Sequence, residues 1–459
     1  MSTQTAPGTT QLSFDFIPSH DLVLRPVAGA LTSDAGLLAF RQFDERAGWT
    51  ARFAACLSDA RDDPTHSLLS MIRQRVYGVI AGYEDCNDHD RLRDDPIFKL
   101  IAGKLPNDDP LASQPTLSRL ENSISTAALF KLIDLTVQTG VERVKARHGG
   151  RLPPRVTIDM DPTDDPTHGQ QQLSLFHGYY DQHQYYPMIV SEPTTKHVFI
   201  AWLRHGTASA ALGADDDMAR IAAAFQRVNP ATRLHVRGDA NVGNPAMYDR
   251  CEHDGHTYTF GFGTNPKLKE WALPLEERAA QEFARTHEKQ RVFAFLNYQT
   301  KSWDKPRMIV AKAECGREGA NLRFVVTNLP VCNDEQARQV YDDYVQRGES
   351  EQRMDELKNG LAAGRLSCHR FRANFLRLLM HTLAFNLLNA LRDHEAVPAE
   401  LRKARPQTWR SRIIKVAAVV TQTTRRVVID LSSAWPFWEL LERIGRRALH
   451  APRPRTASP

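Results

Sequence analysis

The run Val156-Thr-Ile-Asp-Met-Asp161 is apolar until it closes on two aspartates. The two-residue period of a strand points both carboxylates to one face, so a single strand end offers two oxygen ligands. Strand signals recur over residues 185–191 and 197–203, followed by a helical pattern over 217–228 and a short strand over 234–237. Three strands, a helix and a strand in that order predict an α/β layer architecture.

The flanking segments read differently. Residues 1–150 predict a helical region, with Leu69, Ile72, Val76, Val79 and Ile80 at helical spacing within 66–83 and a weaker repeat over 118–135. Arg73, Arg75, Arg91 and Arg93 make this region a candidate for phosphate contact, and a helix-turn-helix would fit there. Beyond the central segment, strand-like runs at 258–262, 291–299, 308–313 and 322–327 are separated by turn residues and charged loops, which predicts a mostly β insertion over about 250–332. From 333 the pattern is helical again, with a break at 360–364 and an apolar helix over 371–391.

Two or three domains are expected of 459 residues, because single cores stop growing near roughly 250–300 residues. No apolar run approaches the ~20 residues that span a bilayer, and the first sixteen residues carry no basic n-region and no apolar h-region. A cytoplasmic protein without membrane contact is the expectation. Six scattered cysteines with no C-x-x-C pair argue against a zinc knuckle and a disulfide framework. Of the net charge of +5, residues 401–459 hold 13 Lys or Arg against three acids, +10, leaving −5 elsewhere. Such asymmetry points to a polyanionic partner or to a basic tail that aids solubility.

Asp239 closes a second strand, Leu234-His-Val-Arg-Gly-Asp239, and precedes the turn-prone Ala-Asn-Val-Gly. Strand ends of this kind are where α/β proteins build sites. Farther on, Tyr344, Arg347, Glu351 and Lys358 are offset by 3, 7 and 14 residues. At 3.6 residues per turn they share an arc of about 60° on one helix. Charged groups on one stripe are poor core residues, so the stripe faces water or a site.

The pattern Y-(2)-R-(3)-E-(6)-K, carried by Tyr344, Arg347, Glu351 and Lys358, resembles the signature of a large group of DDE transposases. Asp161-Pro-Thr163 resembles the first Asp block of that group and Arg237-Gly-Asp239 the second. Leu111-Ala-Ser-Gln-Pro-Thr-Leu-Ser-Arg119, Thr163-Asp-Asp-Pro-Thr-His-Gly169 and His177-Gly-Tyr-Tyr-Asp181 are similar to segments of the insertion sequence 1380 family. The resemblance runs from about residue 20 to 395 and fades in the tail.

It implies an RNase H-like catalytic core over 151–395, interrupted by the β-rich insertion, behind an N-terminal DNA-binding region (1–150) and ahead of a basic C-terminal region (396–459). Asp161, Asp239 and Glu351 would be the catalytic, metal-binding carboxylates. Asp161 precedes the x-Thr step and is preferred as the first aspartate, with Asp159 as the alternative or as support. Three carboxylates suit two Mg²⁺ ions, with Mn²⁺ as a substitute, because hard ions prefer oxygen ligands. Arg347, Lys358 and Tyr344 would position DNA phosphates, and Trp303 is the candidate for stacking on a displaced base. The implied partners are double-stranded DNA, both terminal inverted repeats and target, and a second copy of the chain in the DNA complex. His168, His177 and His183 match no zinc spacing and are read as structural. Rival readings are an RNase H-like nuclease without strand transfer and an inactive DNA-binding protein. The lack of a Gly-rich phosphate loop weighs against a metabolic α/β enzyme.

Overall fold

The computed structural model describes residues 12–14, 22–24 and 29–450. The N-terminal stretch read above for a targeting signal lies mostly outside them, as do residues 451–459 of the basic tail. Among the described residues no helix is long and apolar enough to cross a membrane.

An eight-stranded mixed sheet organises the chain. Its strands are β1 (Arg155–Pro162), β2 (Met188–Glu192), β3 (His197–Trp202), β4 (Arg233–Gly238), β5 (Thr257–Phe262), β6 (Gln290–Tyr298), β7 (Arg307–Gly316) and β8 (Gly319–Thr327). They lie in the order β6-β7-β8-β5-β4-β1-β2-β3. β1, β2 and β3 form an antiparallel meander. β4 is parallel to β1, and β5 is parallel to β4. Parallel neighbours need crossovers, and the helices Ala214–Val228 and Pro245–His253 supply them. The strand-helix-strand order of the sequence is thus realised, and β1 is buried on both faces, as an interior strand must be.

The β6–β8 hairpins extend the sheet antiparallel from β5. The stretch read as charged loops between β5 and β6 is instead a 21-residue helix, Pro266–Thr286. Pro274 inside it reads as a breaker, but Asn265 caps the first turn by accepting from Leu268 N, and Leu268, Ala272, Leu275 and Ala279 recur at spacings of four, three and four. That face packs on β6 and β7, where Ala279 meets Val292 and Ala313.

The N-terminal helical region is continuous with this core. Its helix Leu68–Ala81 lies against the 22-residue helix Phe371–Arg392, and both belong to one hydrophobic cluster with β1–β4. The weak helical repeat over 118–135 resolves into two helices, Gln114–Ser123 and Thr126–Arg147, the second capped by Ser125. Arg75, expected among the phosphate contacts, is 1% exposed and ion-paired at 3.0 Å with Glu121, whose other oxygen takes Arg377 at 2.7 Å. It ties three helices together and cannot reach DNA; Arg91 is exposed.

The edge strand β3 would leave backbone groups unpaired. The Asn386 side chain supplies both partners, accepting from Val198 N and donating to Val198 O at 2.9 Å.

The described part of the C-terminal segment folds onto the N-terminal helices. Ala418–Gln422 pairs with Ala30–Thr32 and with Val427–Leu431. Trp409 is fully buried and edge-on to Phe40. Gly36 is obligatory here, because a Cβ would lie 1.7 Å from the Ile413 carbonyl oxygen.

Candidate active site

The register of β4 on β1 pairs Gly238 with Met160, so the next residues along, Asp239 and Asp161, stand side by side at the ends of two parallel strands. Their elements differ. Asp161 is held within β1 and is buried, whereas Asp239 begins the turn after β4 and is partly exposed. Asp239 Oδ1 accepts from the backbone N–H of Asn241 (2.9 Å) and Val242 (3.0 Å), an Asx-type turn that fixes the carboxylate.

Two groups from the helix Gly348–Asp355 and its N-cap cover Asp161. Arg347 pairs with one carboxylate oxygen and the Ser350 hydroxyl donates to the other. Burial pushes the Asp161 carboxyl up from its ordinary range and the Arg347 charge pulls it back, with Asp159 and Asp239 adding a smaller upward push. Burial works against the Arg347 charge too, but Asp161, Tyr344 and Asp239 outweigh it.

Asp159, on the same strand face, has a different environment. It is fully buried, with one oxygen 2.7 Å from Arg237 Nε and the other taken by Arg353, which also donates to Ser191 at 3.2 Å. A buried carboxylate between two buried guanidinium groups is an anchor for three strands and the covering helix.

The Y-R-E-K residues do not lie on one uninterrupted helix, contrary to the even 3.6-residue spacing assumed from sequence. Tyr344 ends the helix Asp334–Val345, a turn at 346–347 intervenes, Arg347 is the N-cap and Glu351 falls in the first turn of Gly348–Asp355, and Lys358 sits in the π-helical turn Glu356–Gly360. A π turn holds an extra residue and shifts every later side chain around the axis. Tyr344 and Arg347 nonetheless stay together, the guanidinium 5.6 Å from the ring centroid. The Tyr344 hydroxyl occupies the space above Gly261 on β5, where a Cβ would lie 2.8 Å from it and 2.9 Å from Ala240 N.

Glu351 is exposed, and no hydrogen bond or ion pair to another described residue engages it. Its carboxylate is not brought against Asp161 and Asp239. Accordingly, among the described residues no group of three or more His, Cys, Asp or Glu side chains is assembled that could hold a metal. Lys358 is turned toward the end of β1, donating to Thr163 Oγ1 (3.1 Å), the Asp164 carbonyl (2.6 Å) and Asp164 Oδ1 (3.1 Å). Nearby, burial pushes Asp165 up to about 8, and neither of its oxygens has a partner.

Trp303 is buried between Tyr248, Phe262 and Tyr298, with Arg307 5.5 Å from its ring. That burial fits packing rather than the base stacking expected of it. His177 lies among Tyr180 and Tyr186, and His183 against Phe176.

Sequence reasoning passed over Ser350, Arg353 and Gly261. Ser350 and Arg353 flank Glu351 at helical spacing, but nothing in their identity marks a partner on β1. Gly261 looks like an ordinary strand glycine.

Two aspartates thus abut at the ends of parallel strands, under a helix that carries an exposed glutamate. The model for transposase DDE domain group 1 matches residues 18–451. The chain belongs to this family. The match continues past 395, where the resemblance in sequence fades, and takes in the C-terminal strands and the whole of the last helix. No curated protein matches the chain. The family makes it a DDE transposase of the nucleotidyl-transferase type, with DNA as substrate and a reaction that is generally divalent-metal dependent.

Proposed function

We propose that this chain is an insertion sequence transposase of the 1380 family that cuts DNA at terminal inverted repeats and joins the freed ends to target DNA. The observation that carries the reading is the pairing of Asp161 and Asp239 at adjacent strand ends, with Glu351 unengaged on the helix above. The order β3-β2-β1-β4-β5, an antiparallel meander continued by two helix-crossed parallel strands, supports an RNase H-like core, and the helix Pro266–Thr286 with β6–β8 forms its insertion.

Asp161, Asp239 and Glu351 are the residues that would hold the metal, Mg²⁺ by the hardness of an all-carboxylate donor set, with Mn²⁺ as a substitute. The ions would supply charge relief on the phosphoryl group and an activated oxygen nucleophile. Assembly of the site requires the Glu351 side chain to turn toward the two aspartates. Burial raises the Asp161 carboxyl, and the Arg347 charge pulls it part of the way back toward its ordinary range. Arg347, once released from Asp161, binds a phosphate bidentately, and Lys358 holds a second phosphate as a point charge. Tyr344, fixed over Gly261, offers its hydroxyl to the same backbone. Water attacks first and the freed 3′ hydroxyl attacks the target, so one set of residues serves both steps. Two copies act together, one per end, in the cytoplasm.

The test is cleavage of labelled DNA carrying the element's own ends in Mg²⁺ by wild type, Asp239→Ala and Glu351→Ala. Cutting by wild type alone, with joined products, is expected. Cutting without joining would make the chain a nuclease, and binding without cutting by all three proteins would make it a DNA-binding protein.

A further inference from the structure

Fifteen large apolar side chains are exposed among the described residues, and four of them, Leu173, Leu175, Phe176 and Tyr179, fall within seven positions. They sit on a small three-stranded sheet between β1 and β2, made by Asp165–Pro166, Leu175–His177 and Gln182–Tyr185. Apolar surface concentrated in this way marks a contact site. The sheet is fixed at its base. Gly206 closes on it with no room for a side chain, since a Cβ would lie 2.2 Å from the Gln184 carbonyl oxygen and 2.4 Å from that of Leu175.

The rings form a continuous ladder. Tyr179, 86% exposed, stands edge-on to Tyr180 at 5.0 Å, Tyr180 lies 6.0 Å from Tyr186, and His177 touches both at 5.0 and 5.7 Å. At the inner end Arg204 lies 5.3 Å from the Tyr186 ring, and Tyr186 stands two residues before Met188, the register partner of Pro162 next to Asp161. The ladder therefore runs from beside the candidate active site to open solvent.

We propose that the hairpin 173–186 is a stacking platform for unpaired DNA bases next to the cut site, with Phe176 and Tyr179 as its outer contacts. The proposal rests on the DNA reading above. Ring faces pair with ring faces, and in a duplex the bases are stacked on one another, so only an unpaired strand presents what the ladder can hold. The ladder's inner end beside the Asp161 strand end places the occupant on the substrate path rather than on a remote face.

The test compares wild type with the double variant Phe176→Ala/Tyr179→Ala for binding a labelled oligothymidine and a blunt duplex. The double variant should bind the single strand at least about tenfold more weakly, keep its duplex affinity, and regain the loss in Phe176→Tyr/Tyr179→Phe. Equal single-strand affinities, beside normal duplex binding, would overturn the platform alone. A change in self-association with unchanged DNA affinity would overturn it in favour of a contact between copies. Failure of wild type to bind either DNA would remove the DNA reading and the platform with it.

Discussion

Asp159 and Asp161 are two residues apart on one strand face, and their surroundings separate what each contributes. Asparagine at 159 would leave Arg237 and Arg353 buried against a neutral amide, at a cost of about 3–5 kcal/mol. Asparagine at 161 removes a carboxylate that burial already disfavours, so stability should stay within about 1 kcal/mol of wild type while DNA cleavage falls to background. Urea unfolding and a cleavage assay on the two variants separate these roles; loss of cleavage without loss of stability in Asp159→Asn would reverse them. Asp165 gives a prediction in pH. Its folded value of about 8 lies above the unfolded value of about 3.9, so the folded state binds the extra proton between them and stability falls as pH rises through that window. In Asp165→Asn that component of the slope should vanish, as unfolding midpoints at pH 5 and pH 8 would reveal. At this scale the sequence makes the acidic residues visible through their combination, Asp161 and Asp239 each closing an apolar strand and Glu351 set in the Tyr-Arg-Glu-Lys spacing, since a lone strand-end aspartate is commonly a turn residue. Their partners are hidden, since Arg353 and Ser350 meet β1 only after 190 or so residues of intervening chain have folded.

The elements were largely legible where the pattern was strong. β1–β4 and the helix between β3 and β4 follow from period alone, and so does Phe371–Arg392. Pro266–Thr286 was not legible, because an internal proline and ten charged or polar positions mask a narrow apolar stripe that acquires meaning only against β6 and β7. The π turn at Glu356–Gly360 was equally hidden, as no residue in it forbids an ordinary helix. Gly261 tests how far an element controls the site. Alanine there would press on both the Tyr344 hydroxyl and the Ala240 backbone, and only the first can move. Gly261→Ala should lose about 1–3 kcal/mol of stability, keep DNA binding, and lose cleavage by roughly 10²-fold. Unchanged cleavage would mean that the Tyr344 position does not matter.

At the scale of the whole molecule, the sheet pairing of Thr32 with Ala418 joins residues 386 positions apart. Such a pairing has no local signature, which is why composition set the C-terminal segment apart while the structure seals it into the N-terminal helices. Lys415 adds to the seal, reaching Asp34 at 2.6 Å and lying 3.8 Å from the Tyr83 ring. Gly36→Ala, driven into the Ile413 carbonyl, should lower stability by about 3 kcal/mol and expose 409–431 to protease; an unchanged urea midpoint would contradict the close approach.

That seal sets an order of events during synthesis. Domains commonly fold as the ribosome releases them, starting from the N-terminus. Here the first helices emerge with the Trp409 site unfilled and the Ala30–Thr32 edge unpaired, and they stay so until nearly all of the chain has been made. A message cut short or shifted out of frame before that point yields a polypeptide with an open core, a substrate for proteases rather than a stable partial protein.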